Sequence, residues 1–78
     1  MRIRVRFFAS FREMAGREEV EMELPPGTRL EGLTSLLMEE YPEMSGRAMV
    51  AHNRAYARGN PLLKEGDEVA LFPPVSGG

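Results

Sequence analysis

The chain has 78 residues, fewer than the roughly 100 to 150 of a typical domain, so it builds one modest core and has little interior for a deep catalytic cavity. Ten Lys and Arg against 12 Asp and Glu give a formal charge of -2, which argues against nucleic-acid binding, where a basic excess is expected. The absence of cysteine excludes a disulfide framework, a thiolate metal site and a cysteine nucleophile; the fold rests on packing, and any sulfur is held elsewhere than on a side-chain thiol.

Ile3, Val5 and Phe7 alternate with Arg2, Arg4 and Arg6, the period of a strand with one covered face. This opening has no continuous apolar run, so no signal peptide, membrane partner or span is expected, and the location expected is cytoplasmic. Ser10 and Glu13 have capping-box spacing and Gly16 follows, predicting a short helical turn. Val20, Met22 and Leu24 resume the alternation, with Glu19, Glu21 and Glu23 facing away, positioned to pair with the arginines across the solvent face. Pro25-Pro26-Gly27 ends that strand, and Thr28 with Glu31 offers a second capping pair. Leu30, Leu33, Leu37 and Tyr41, with Leu36 beside them, predict a helix over residues 28–41 with one apolar stripe.

Ala48–Ala51 is the next expected strand, His52-Asn53-Arg54 its turn, and Ala55–Ala57 its return. Leu62 and Leu63 are expected to pack beneath the turn at Lys64–Asp67. Glu68–Phe72 is the last strand, with Val69 and Leu71 inward and Ala70 and Phe72 outward. A hairpin followed by a helix returning to the same sheet predicts an α+β fold of the β-grasp, ubiquitin-like kind over residues 1–72, a mixed sheet against one main helix. A split antiparallel α+β sandwich is the alternative.

Residues 73–78, Pro-Pro-Val-Ser-Gly-Gly, form the expected tail. The prolines stop the strand and favour an extended path, and six residues reach about 18 to 20 Å when extended. Gly77 and Gly78 carry no Cβ, so this tip fits a narrow partner channel. A terminal carboxylate there is ionised at neutral pH and suited to attack on the α-phosphate of ATP, giving an acyl-adenylate that a sulfur donor converts to a thiocarboxylate. The chain has no GxxxxGK[ST] loop, so a partner must recognise the nucleotide.

Arg6–Glu13 (RFFASFRE), Leu24–Gly27 (LPPG), Leu62–Val69 (LLKEGDEV) and Phe72–Gly78 (FPPVSGG) resemble the small sulfur-carrier subunits of molybdopterin synthase, over essentially the whole chain. Ser76 stands where alanine is common in that family. The resemblance implies a β-grasp fold and adenylation of Gly78 by an ubiquitin-activating-like enzyme using ATP. It further implies a covalent thiocarboxylate fed indirectly by a sulfur-donor protein, and transfer to cyclic pyranopterin monophosphate in the large catalytic subunit. It implies no permanently bound cofactor and no catalysis by the chain alone.

Phe8 and Phe72 are expected to form an exposed apolar patch at the root of the tail, making them, with Pro73, Pro74 and Val75, the expected partner contacts. The arginine stripe reads as a solvated face, His52 as a lone imidazole without a second metal ligand, and Tyr41 and Tyr56 as packing residues. Three alternatives remain open: a carrier for thiamine or another pathway, a ubiquitin-like modifier attached through Gly78, and a non-covalent β-grasp interaction module.

Overall fold

A computed structural model describes residues 1–74; Val75, Ser76, Gly77 and Gly78, which carry part of the expected tail, lie outside the described residues. The elements are β1 (Arg2–Phe7), α1 (Ser10–Ala15), β2 (Glu19–Glu23), α2 (Leu30–Glu40), a 3-10 turn (Pro42–Met44), β3 (Met49–His52), β4 (Ala55–Tyr56) and β5 (Glu68–Phe72). They form one five-stranded sheet in the order β2-β1-β5-β3-β4. Neighbouring strands are antiparallel except the central pair: β1 and β5 run parallel, with Val5 opposite Val69 and Phe7 opposite Leu71. This is the β-grasp arrangement, and the parallel pair rules out the antiparallel sandwich.

The alternation in β1 and β5 does what its period requires. Ile3, Val5, Phe7, Val69 and Leu71 are all essentially sealed from solvent, together with Leu33 and Leu37 of α2, Phe11 of α1 and Met44 of the 3-10 turn. Burying each such side chain contributes about 1.5–3 kcal/mol. Tyr41 meets Phe7 edge-on, with ring centroids 5.4 Å apart, and is a packing residue as expected. Leu36 departs from the expected stripe: it is 45% exposed, and of α2 only Leu30, Leu33 and Leu37 are buried. Leu62 is likewise exposed, whereas Leu63 is buried; an isolated bridge between Leu62 and Arg29 fixes which leucine of the pair turns inward.

The outer face of β1 and β2 carries the expected ion pairs, partly along diagonals. Arg2 Nε lies 3.3 Å from Glu23 and 3.6 Å from Glu21, and Arg4 Nε lies 3.3 Å from Glu19. Arg2 is held above the usual arginine range, first by its hydrogen bond to Glu23 and then by the nearby carboxylates.

Neither expected capping box forms. α1 starts one residue early, with Ala9 at its cap, Ser10 already helical and no side-chain cap bond; its end is as expected, Gly16 being left-handed and donating to the Arg12 carbonyl at 2.9 Å. In α2 the cap is Arg29, because the Thr28 hydroxyl donates to the Pro25 carbonyl at 2.7 Å and so serves the preceding turn. The helix start is secured from a distance. Asn60 Oδ1 accepts the Glu31 N–H at 2.9 Å, the Asn60 carbonyl accepts Arg29 Nη1 at 2.9 Å, and the Leu30 N–H donates to the Pro61 carbonyl at 2.9 Å. One free N–H of the first helical turn is thus satisfied by a side chain 29 positions away.

Asn60→Ala is expected to lower stability by about 1 kcal/mol, as loss of a helix cap does, and the melting temperature by about 4–8 °C for a chain of this size. Ser10→Ala is expected to leave it unchanged. Thermal unfolding of the two variants checks the contrast.

Candidate functional site

β1 and β5 end side by side, and the Phe8 N–H donates to the Leu71 carbonyl at 3.1 Å. The chain then reverses over Phe8–Phe11, closed by the Phe11 N–H on the Phe8 carbonyl at 3.1 Å. Ala9 turns this corner at φ 52, ψ -131, a conformation that favours glycine and stores strain in an alanine. The sharp reversal puts consecutive aromatics on opposite sides: Phe11 is fully buried, while Phe8 is 38% exposed. Arg6 stacks on the Phe8 ring, its guanidinium carbon 5.0 Å from the centroid.

Across the strands, the outward residues in register are Glu19, Arg6, Ala70, Ala51 and Tyr56. Two alanines in the middle of this row leave a depression, with Phe8, Phe72 and Tyr56 around it. The result is an open concavity of about 720 Å³ whose rim also carries Arg54 and Glu68. Tyr56 and Phe72 lean together with ring centroids 6.0 Å apart. Glu68 sits between two cations, 3.7 Å from Arg6 Nη1 and 3.9 Å from Arg54 Nε. An aromatic-walled, alanine-floored surface with a mainly basic rim is suited to holding a protein partner. It presents no nucleophile and base in contact. Among the described residues there is no cluster of three or more metal-ligating side chains, and no helix is long and apolar enough to cross a membrane.

Phe8 and Phe72 therefore share one face at the end of the last strand, with Pro73 and Pro74 following directly. Val75, Gly77 and Gly78 fall outside the described residues. Tyr56 corrects an expectation: it is 69% exposed and walls the concavity rather than packing in the core. The cause is the β3–β4 turn. His52 belongs to β3 and only Asn53 and Arg54 form the turn, both at positive φ (50° and 68°), as a two-residue hairpin loop of the primed type demands. His52 then pairs with Ala55 and Ala51 with Tyr56; a three-residue turn shifts the register by one and sends Tyr56 to the other face.

The same turn is tied down by a polar network. His52 Nε2 lies 2.8 Å from Asp67 Oδ2, Asn53 Nδ2 donates to Asp67 Oδ1 at 3.1 Å, and the Lys64 N–H donates to Asp67 at 2.9 Å. Asn53 Oδ1 accepts the Glu68 N–H at 2.9 Å. Partial burial acts to raise the Asp67 pKa, but the hydrogen bonds from His52, Lys64 and Asn53 together outweigh it and hold the carboxyl below its ordinary 3.8. His52 thus serves the hairpin that carries Tyr56.

With this geometry in place, comparison with known proteins is direct. A family model described as the ThiS family matches residues 5–78. The chain belongs to the ThiS family. A relative is the molybdopterin synthase sulfur carrier subunit of Chlamydomonas reinhardtii, 39% identical over 83 aligned positions that span all of both chains. Among solved structures, the putative molybdopterin converting factor subunit 1 of Pyrococcus furiosus superposes on this ThiS-family chain with a TM-score of 0.84 at 31% identity, covering 96% of this chain and 99% of that one. The complex of subunits 1 and 2 of the molybdopterin-converting factor of Helicobacter pylori contains a chain of TM-score 0.76 and 31% identity, with full coverage of both.

Asp67→Asn is expected to cost about 1.5–3 kcal/mol near neutral pH, the scale of a charge-assisted hydrogen bond. The folded-state pKa is depressed, so the carboxylate's contribution is complete above the ordinary value of 3.8 and vanishes as pH falls through the lower folded value. The gap between wild type and variant should therefore close only in acid. Denaturant melts across an acid pH series measure it.

Proposed function

We propose that this chain is the sulfur carrier of molybdopterin synthesis, with the carboxylate of Gly78 as its working group. The observation that carries the reading is where the last strand ends. β5 stops at Phe72 beside the aromatic concavity, and Pro73-Pro74 follow it directly. The family match extends to Gly78, and the Chlamydomonas sulfur carrier subunit aligns end to end.

The chemistry follows from what a main-chain carboxylate can and cannot do. It is a nucleophile toward phosphorus but a poor acyl donor, so an adenylating partner first joins it to the α-phosphate of ATP, releasing pyrophosphate. Sulfide delivered by the donor attacks the activated carbonyl, forming the C–S bond as the C–O bond to AMP breaks and a proton is lost, and leaves a thiocarboxylate. In the large synthase subunit the thiocarboxylate sulfur bonds to cyclic pyranopterin monophosphate, water cleaves the resulting thioester so that the sulfur stays on the acceptor, and the regenerated carboxylate starts again. This chain contributes a tip without side chains and a docking face of Phe8, Phe72, Pro73 and Pro74, extended by Tyr56. Enclosure in the partner's site keeps water from the thiocarboxylate.

Intact-mass analysis of the chain from its native cell should show a gain of about 16 Da, present only with the activating enzyme and placed on Gly78 by fragmentation. A gain found on any of the six methionines and never on Gly78 overturns the reading. Phe8→Asp and Phe72→Asp should each weaken binding to the large subunit by about 2 kcal/mol or more, as central aromatic anchors do. Titration calorimetry reads the affinity, and unchanged circular dichroism confirms the fold.

A further inference from the structure

A second surface lies at the opposite edge of the sheet. Among the described residues β2 has a neighbour on one side only. Met1 and Leu24 exchange both main-chain hydrogen bonds, at 2.7 and 2.8 Å, and the Phe7 N–H donates to the Glu18 carbonyl at 2.8 Å. In an antiparallel ladder such pairs alternate, so Val20 and Met22 also bond toward β1. The N–H and C=O groups of Glu19, Glu21 and Glu23 therefore face the free side. On the helix side of this edge lies a groove of about 460 Å³ lined by Val20, Met22, Leu36 and Tyr41, with Arg17 as well as Glu39 and Glu40 on its rim, two carboxylates to one cation. On the outer side stands the glutamate row, which receives Arg2 and Arg4 from β1 and has no cation opposite it on the free side among the described residues.

We propose that the β2 edge is a second binding site, taking an extended segment of a partner protein whose side chains alternate apolar and basic. Such a segment adds a sixth strand to the sheet. Side chains opposite Val20 and Met22 drop into the groove against Leu36, and those between them meet Glu19, Glu21 and Glu23. β1 already satisfies the other side of β2 with this pattern, Arg-Ile-Arg-Val-Arg-Phe. A second copy of the chain does not fit: β2 against β2 sets glutamate against glutamate, and the other sheet edge, β4, is only two residues long. Acidic edge residues explain why the strand does not self-associate and leave it selective for a basic strand. The site is separate from the Phe8–Phe72 face, so it stands whether or not the carrier reading does.

The probe is a capped octapeptide of alternating lysine and valine or isoleucine, titrated into the isotope-labelled full chain and followed by amide chemical shifts and hydrogen exchange. Expected are saturable shifts along β2 and the second half of α2, with slowed exchange at Glu19, Glu21 and Glu23. Leu36→Asp, a change at an exposed position, and replacement of the peptide lysines by glutamate should each weaken binding by about tenfold or more, the size of one lost anchor. The proposal is overturned by absence of β2 shifts up to about millimolar peptide, by equal binding of the glutamate peptide, by shifts centred on Phe8 and Phe72, or by self-association of the chain that Leu36→Asp abolishes.

Discussion

The parallel pairing of β1 with β5 decides where everything else in this molecule lies. Two strands distant in sequence run in the same direction at the centre of the sheet, Arg4 opposite Glu68 and Phe7 opposite Leu71, so their carboxyl ends emerge together. A parallel pair needs a crossover, and here the long connection contains α2, which covers one face of the sheet and seals Val5, Phe7, Val69 and Leu71 beneath it. The opposite face is left open, and the chain leaves β5 on the same end at which β1 hands over to Phe8. Tail root and aromatic surface are neighbours by topology.

Residue size then shapes that open face. Large outward side chains at the sheet centre would make it convex; Ala70 and Ala51 stand there instead, and Phe8, Phe72 and Tyr56 rise around them. Holding the aromatics in place draws on features with no chemical role of their own. Ala9 accepts a strained corner so that Phe8 and Phe11 part company, and the His52–Asp67–Asn53 network fixes the tight turn that aims Tyr56. A loss at either place moves a contact surface without touching it.

Much of this was legible from spacing alone. Period two in Arg2–Phe7 and Glu68–Phe72, and the leucines of α2, identify the covered faces because a sheet and a helix packed together admit few other solutions. What was not legible depended on partners distant in sequence or on one residue of register. The α2 start reads as capped by Thr28, but Thr28 bonds to Pro25 and the capping oxygen comes from Asn60, a contact no local pattern announces. Leu36 and Leu33 look alike in sequence, and only the position of the sheet edge leaves one outside. For Tyr56 the signal was present: Asn53 tolerates positive φ, so a two-residue turn was available, and counting outward from it pairs Ala51 with Tyr56. Extending the turn to His52 hid that.

A reactive end made of glycine has a consequence for specificity. Glycines carry no side chain by which an enzyme could tell one carrier from another, and the same terminal chemistry serves any acceptor of sulfur. Discrimination must therefore come from the folded surface that precedes the tail. Each 1.4 kcal/mol of differential contact there is worth about tenfold in affinity, so a few aromatic anchors and a charged rim suffice to separate partners. The Glu68 carboxylate between Arg6 and Arg54 is well placed for this. It restrains two cations at the edge of the concavity, and a carboxylate that takes one of them leaves Glu68 paired with the other.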